Sequence, residues 1–270
     1  MELRNNGLRL PPPWITPAAG KVDREVRPVI TVQRRRPPTS GGNPWTPAEW
    51  GTSIVWYDAA DLSTITTVSG AVTNWQDKSG GGRNLTAMPA RPTYTANGLN
   101  NRPALSWPAS GQTGMTWTGA AFNPVRTFGV ARYEGTNPFG QTSGLMSYNF
   151  AGLNDIYLAG TADRWLFDRQ VFLNGSESSS DVALPAVASP FLWADDVTPT
   201  AGRTSIWIGN DRNGSTPAWR GKIGQVIITL FLPTLRERRI VTGWLAWEYE
   251  LEWLLPADHP FRNRRPTLSD

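Results

Sequence analysis

The 270-residue chain has no cysteine and a single histidine. Without cysteine there is no disulfide framework, no thiolate metal site and no thiol nucleophile, and the redox state of its compartment leaves no trace. A Ser-His-Asp relay would have to use His259, yet no G-x-S-x-G elbow accompanies it. Its setting in "ADHPF", just before Pro260, points to a structural hydrogen bond instead. H-E-x-x-H is absent, and Asp211 and Asn213 in "GNDRNGS" lack the spacing of a calcium-binding loop. Calcium held by scattered loop oxygens is the one cofactor left open; otherwise none is expected. No apolar run reaches the length that spans a membrane, and "MELRNNGLRLPPPW" lacks the apolar core of a signal peptide. The expectation is a soluble chain without membrane contact or its own export tag. The N-x-[ST] sequons at Asn84, Asn174 and Asn213 then carry little weight.

What the chain has is tryptophan (14), proline (23), glycine (26) and an uneven charge. Residues 1–42 hold eight Lys/Arg against three Asp/Glu, residues 43–261 hold fifteen against eighteen, and the last nine hold three against one. The net charge of +4 therefore belongs to the two ends. Residues 1–50 carry nine prolines, in runs such as "LPPPW" and "RRRPPT". Such a segment cannot build a core and prefers extended geometry. We read residues 1–51 as an extended docking arm, whose first 42 residues could reach on the order of 140 Å. In "RPVITVQRRR", Val29, Ile30 and Val32 suit pairing with a partner's sheet edge, and Arg34, Arg35 and Arg36 suit acidic groups there. A protein surface fits this arm better than nucleic acid, because no stacking aromatics or reading module surround the arginines.

From Thr52 the texture changes to short apolar or alternating runs separated by turn residues, among them "SIVWYD", "PALSW", "VRTFGVARY", "PFLWADD" and "KIGQVIITLFL". Many short strands with turn chemistry between them predict an all-β antiparallel sandwich over residues 52–261. The spacing predicts one helix near 235–250, opened by a capping box of Thr234 and Glu237 after Pro233. Residues 262–270 read as a basic tail.

The stretch "NWQDKSGGGRNL" invites a phosphate-binding reading. A P-loop, however, places its glycines before the Lys and a helix after it, and here the order is reversed. We expect a fold corner, with Trp75 inward and Asp77 and Lys78 bonding locally.

Five segments in order resemble one family. "VWYDAADLSTIT", "VTNWQDKSGGGRNLTA" and "RPTYTANGLNNRPALSW" are similar to the opening half of the laminin-G-like, concanavalin-type jelly rolls of bacterial and bacteriophage proteins. "IWIGNDRNGSTPAWRGKIGQVIIT" and "LRERRIVTGWLAWEYELEWLLPADHPF" are similar to its closing half and to the terminus of phage structural versions. The resemblance covers about residues 53–261. Gly81, Asn101 and "SWPASG" depart from the family's usual Asn, Gly and "FDGS", and the last change removes an Asp from its loop cluster.

The resemblance implies a concanavalin-like jelly roll and two functional readings. The first is a non-enzymatic structural or decoration protein of a bacteriophage virion, made in the host cytoplasm. It would be held by its arm to capsid, neck or tail proteins and could form homo-oligomers. The alternative is a carbohydrate-binding module for host-surface glycans, for which the loop-adjacent Trp117 and Trp219 are the stacking candidates. Jelly rolls of this type include glucanases with an E-x-D-x-E-like strand. The lookalike here, Glu248, Glu250 and Glu252, continues the predicted helix, where 248 and 252 share a face and 250 points elsewhere, so we expect no catalytic residue.

Overall fold

Apolar residues two apart, in runs of five to nine, can cover one sheet face or both. In a computed structural model they do both. The structure describes residues 42–270 apart from 109–112, 136–142, 149–154, 160–163, 167–170, 179–180, 184, 186–187, 198–201 and 211–218. The chain divides into two units at Arg36/Pro37, and the described residues all belong to the second. The arm residues Val29, Ile30, Val32, Arg34, Arg35 and Arg36 lie outside them.

Among the described residues, seventeen strands make an antiparallel two-layer sandwich. The front layer starts with β2 (Ile65–Val68), β3 (Ala71–Trp75) and β4 (Leu85–Ala87), then β7 (Met115–Phe122) and β16 (Arg203–Ile208). It continues through β9 (Ser143–Ser147), β10 (Asp155–Ala159), β11 (Arg164–Leu166) and β14 (Asp181–Ala183). The back layer runs β1 (Ile54–Asp58), β17 (Gly221–Thr229), β8 (Arg126–Tyr133), β15 (Pro190–Asp196), β12 (Val171–Leu173) and β13 (Ser176–Ser178). A hairpin of β5 (Thr93–Leu99) and β6 (Arg102–Trp107) joins them, β6 pairing with β17 and β5 with β3.

The back layer is buried on both faces. On its inner face Val55, Tyr57, Phe191, Trp193, Val226 and Ile228 meet Trp75, Leu85, Met115, Ile206 and Ile208 of the front layer. On its outer face Ile54, Trp56, Phe128, Val130, Leu192 and Ile227 meet the single α-helix among the described residues, α1 (Leu235–Glu248). Full burial of each such side chain contributes on the order of 1.5–3 kcal/mol. The predicted capping box is formed: Thr234 Oγ1 accepts from Glu237 N, and Thr234 N donates to Glu237 Oε2 at 2.7 Å. Ile240, Val241, Trp244 and Leu245 supply the buried stripe.

The domain reaches beyond the predicted limits at both ends. Trp45 is buried in the helix-side core, edge-on to Trp244 at 6.1 Å, with Trp50 packed against it. The expected tail 262–270 instead folds back. Trp45 N donates to Pro266 O, Leu268 N donates to Asn43 O, and Arg264 pairs with Asp270. Gly243 allows this return, since a Cβ there would stand 2.5 Å from Phe261 Cβ.

The corner at "NWQDKSGGGRNL" closes around one carboxylate. Asp77, almost fully buried, accepts from Trp56 N at 3.1 Å, from Ser79 N at 3.0 Å and Ser79 Oγ at 2.6 Å, and from Arg83 N at 3.3 Å. Lys78 pairs with Asp58 at 3.0 Å and Asp61 at 2.9 Å and lies over the Trp56 ring. Gly80 and Gly82 take φ of 82° and 75°, which other residues adopt only with strain. Trp75 points inward and is fully buried, as expected. Asp77→Ala leaves these donors without their acceptor and is expected to cost about 2–4 kcal/mol in urea unfolding, with Asp77→Asn in between. A loss below about 1 kcal/mol for the Ala variant would show that the corner is held by something else.

Candidate functional site

At the end of the outer face, α1 and the last loop stand off the sheet and leave a pocket of about 250 Å3. Its floor is a register row: Phe172 opposite Ala194, and Ala194 opposite Phe128. Leu235 and Arg238 of α1 form one wall, and Gly175, Glu177 and His259 another. β8 begins at Arg126, which alternation places on the same face as Phe128 and Val130.

Arg126 is 2% exposed, unusual for a charged residue that starts a strand. Its register partner on β15 is Asp196, and Nε and Nη2 both reach Asp196 Oδ1. That uses two of the five guanidinium donors. Nη1 is buried with no hydrogen-bond partner. The guanidinium of Arg126 lies 4.9 Å from the Phe172 ring centre, and that of Arg238 lies 5.2 Å from it. Burial and the neighbouring Arg126 hold Arg238 below its usual value, while Asp196 and Glu177 pull the other way and Arg239 adds to the lowering. Arg238 Nε is also buried without a partner.

His259 supplies a third such donor. Its Nδ1 accepts from Phe261 N at 3.3 Å, the structural hydrogen bond expected of it, so a neutral ring carries its proton on Nε2. Nε2 is buried and unpartnered. Burial, with a further push from Arg239 and against the opposing Asp258, lowers His259 from 6.5 to about 4. The imidazole is therefore neutral at neutral pH. Three donors without hydrogen-bond partners thus belong to residues that line the pocket. Removing polar groups from water without partners costs about 1–3 kcal/mol each, which a ligand would recover.

The residues proposed from sequence lie elsewhere. Trp219 is fully buried, edge-on to Tyr133 at 5.3 Å, and offers no face to a sugar. Trp117 is partly buried against the inter-layer core, edge-on to Phe122 at 5.4 Å and beneath Arg83. Neither lines the pocket. Glu248 pairs with Arg265, and Glu250, past the helix end at a φ of 55°, pairs with Arg102 at 2.9 Å. Glu252 sits on the next 3-10 turn, so the three acids do not share a face. Among the described residues no three His, Cys, Asp or Glu side chains come together as a metal site. Asp211 and Asn213 lie outside the described residues.

The pocket makes stability depend on pH in a stated direction. His259 takes up its proton near 6.5 when unfolded but near 4 when folded, so between these values the unfolded chain binds more protons. The contribution is complete above about 6.5 and declines as pH falls toward 4. His259→Gln is expected to flatten the fall in Tm over that window relative to wild type. Parallel Tm–pH curves would show that His259 is not held neutral.

No family model matches the chain, and no curated protein matches it. Solved structures do. Trypanosoma rangeli sialidase matches at a TM-score of 0.45 and 14% identity, over 80% of this chain and 36% of that one. A GH54 α-L-arabinofuranosidase soaked with 4-nitrophenyl α-L-arabinofuranoside matches at 0.44 and 15%, over 66% of this chain and 51% of that one. The chain thus spans from about a third to about half the length of these proteins. Both are named as glycosidases and neither is a virion protein. The expectation of a non-enzymatic virion component is not borne out by these comparisons.

Proposed function

We propose that the domain is a lectin-like jelly roll of the laminin-G-like, concanavalin type, and that it binds carbohydrate in the pocket beneath α1. The observation that carries this reading is the pairing of an apolar floor with unpartnered buried donors on Arg126 and His259. A sugar ring presents an apolar C–H face and a rim of hydroxyl acceptors, and few other small ligands need both surfaces so close together. The volume of about 250 Å3 is just below the ~300–1,000 Å3 of sites for drug-sized ligands. It suits one ring, or the terminal ring of a longer glycan.

The test is to titrate the full chain with a panel of neutral and acidic mono- and disaccharides by calorimetry. Binding of at least one class is expected. Leu235→Trp, at the exposed rim, is expected to weaken it about tenfold, or about 1.4 kcal/mol, with Tm unchanged. Absence of binding across the panel, or binding indifferent to Leu235→Trp, would overturn the assignment.

A further inference from the structure

We infer that the sugar bound beneath α1 is an acidic one, whose carboxylate seats between Arg126 and Arg238. This inference rests on the carbohydrate reading above. Three arginines line the pocket, Arg126, Arg238 and Arg239, and one carboxylate, Glu177, lines it with them. Asp196 neutralises Arg126 through a single oxygen, which leaves the Arg126 Nη1 donors unused. Among the described residues no ion pair joins Arg238 to a carboxylate; it lies over the Phe172 ring and feels Asp196 and Glu177 only as neighbouring charges, beside the like charges of Arg126 and Arg239. Like charges gathered around one ring repel, and an oxyanion between them would relieve that repulsion.

The geometry favours a carboxylate on a ring over a free ion. Both guanidinium groups lie within 5.2 Å of the Phe172 ring centre, and the charge of Arg126 is felt at Arg238, so both belong to the Phe172 end of the pocket. Phe128 and Ala194 continue the floor beyond them, where a free anion would find nothing to bond but a sugar ring would rest its C–H face. A guanidinium matches a carboxylate with paired N–H donors, and such charge-assisted bonds are roughly twice as strong as neutral ones. His259 Nε2–H remains for a hydroxyl or ring oxygen. A neutral sugar would leave the cationic end unmatched.

The experiment titrates the full chain with glucuronate, its methyl ester, glucose and inorganic phosphate at constant ionic strength. Glucuronate is expected to bind at least tenfold more tightly than glucose or the ester. Arg238→Gln is expected to remove that advantage, while Arg238→Lys retains part of it. Arg238 is the preferred site because Arg126→Gln also breaks a buried cross-strand pair and could unfold the domain. Equal affinity for glucuronate and glucose would overturn the carboxylate assignment and leave carbohydrate binding standing. Phosphate binding as tightly as glucuronate would show a free-oxyanion site and overturn the sugar class. A glucuronate advantage that survives Arg238→Gln would place the carboxylate elsewhere and also overturn the inference. Failure of both sugars to bind would instead count against the carbohydrate reading itself.

Discussion

A sheet that is apolar on both faces exists only while both faces are covered, and the back layer is such a sheet. β1 is buried at every position, and β8 and β17 at nearly every one. The front layer covers one face and α1 the other. Exposing either would return a row of Val, Ile, Phe and Trp side chains to water, at roughly 1.5–3 kcal/mol apiece. The helix is thus a cover as much as an element, and its capping box, the aromatic trio of Trp45, Trp56 and Trp244, and the return of Phe261 over Gly243 all hold that cover in place.

The pocket occupies the place where this cover ends. Towards its edge the outer face changes from aliphatic to cationic: Val130 and Phe128 on β8 give way to Arg126 at the strand's start. Burying a guanidinium is costly unless it is matched, and one oxygen of Asp196 matches only part of it. Replacing Arg126 with an apolar residue of similar size would remove that cost. The pair with Asp196 therefore accounts for only part of this arginine, and the proposed ligand would account for the rest.

Much of the fold is legible in the sequence. The T-x-x-E box before an apolar stripe identifies α1, and an Asp followed by Lys-Ser and three glycines identifies a turn organised by its acid. Both are local patterns, with partners only a few residues apart. The site is not local. Arg126, Phe172, Arg238 and His259 come from two strands, a helix and a terminal loop, united by the register of β8 on β15 and of β15 on β12 and by the packing of α1 and that loop over the row. An arginine opening the strand run "VRTFGVARY" is the one signal that could have marked the position, because charge at the start of a strand buried on both faces is out of place. Trp219 is a converse case. In sequence it lies beside a loop, yet contact with Tyr133 from another strand seals it in the core. Tail and arm boundaries were hidden for the same reason, since Trp45 is buried against Trp244 of α1 and Thr267 pairs with Pro44 at the other end of the chain.

The closing bridge between Pro44 and Thr267 brings the two ends of the sandwich side by side. Residue 43 and residue 268 therefore lie beside one another at the same edge of the domain. Tension between residue 43 and residue 268 would fall first on a few hydrogen bonds, among them Leu268 N to Asn43 O and Trp45 N to Pro266 O. These open one after another, like a zip, and not together in shear. The seam would therefore yield at low force, and the next contact loaded would be Trp45 against Trp244, at the edge of the helical cover.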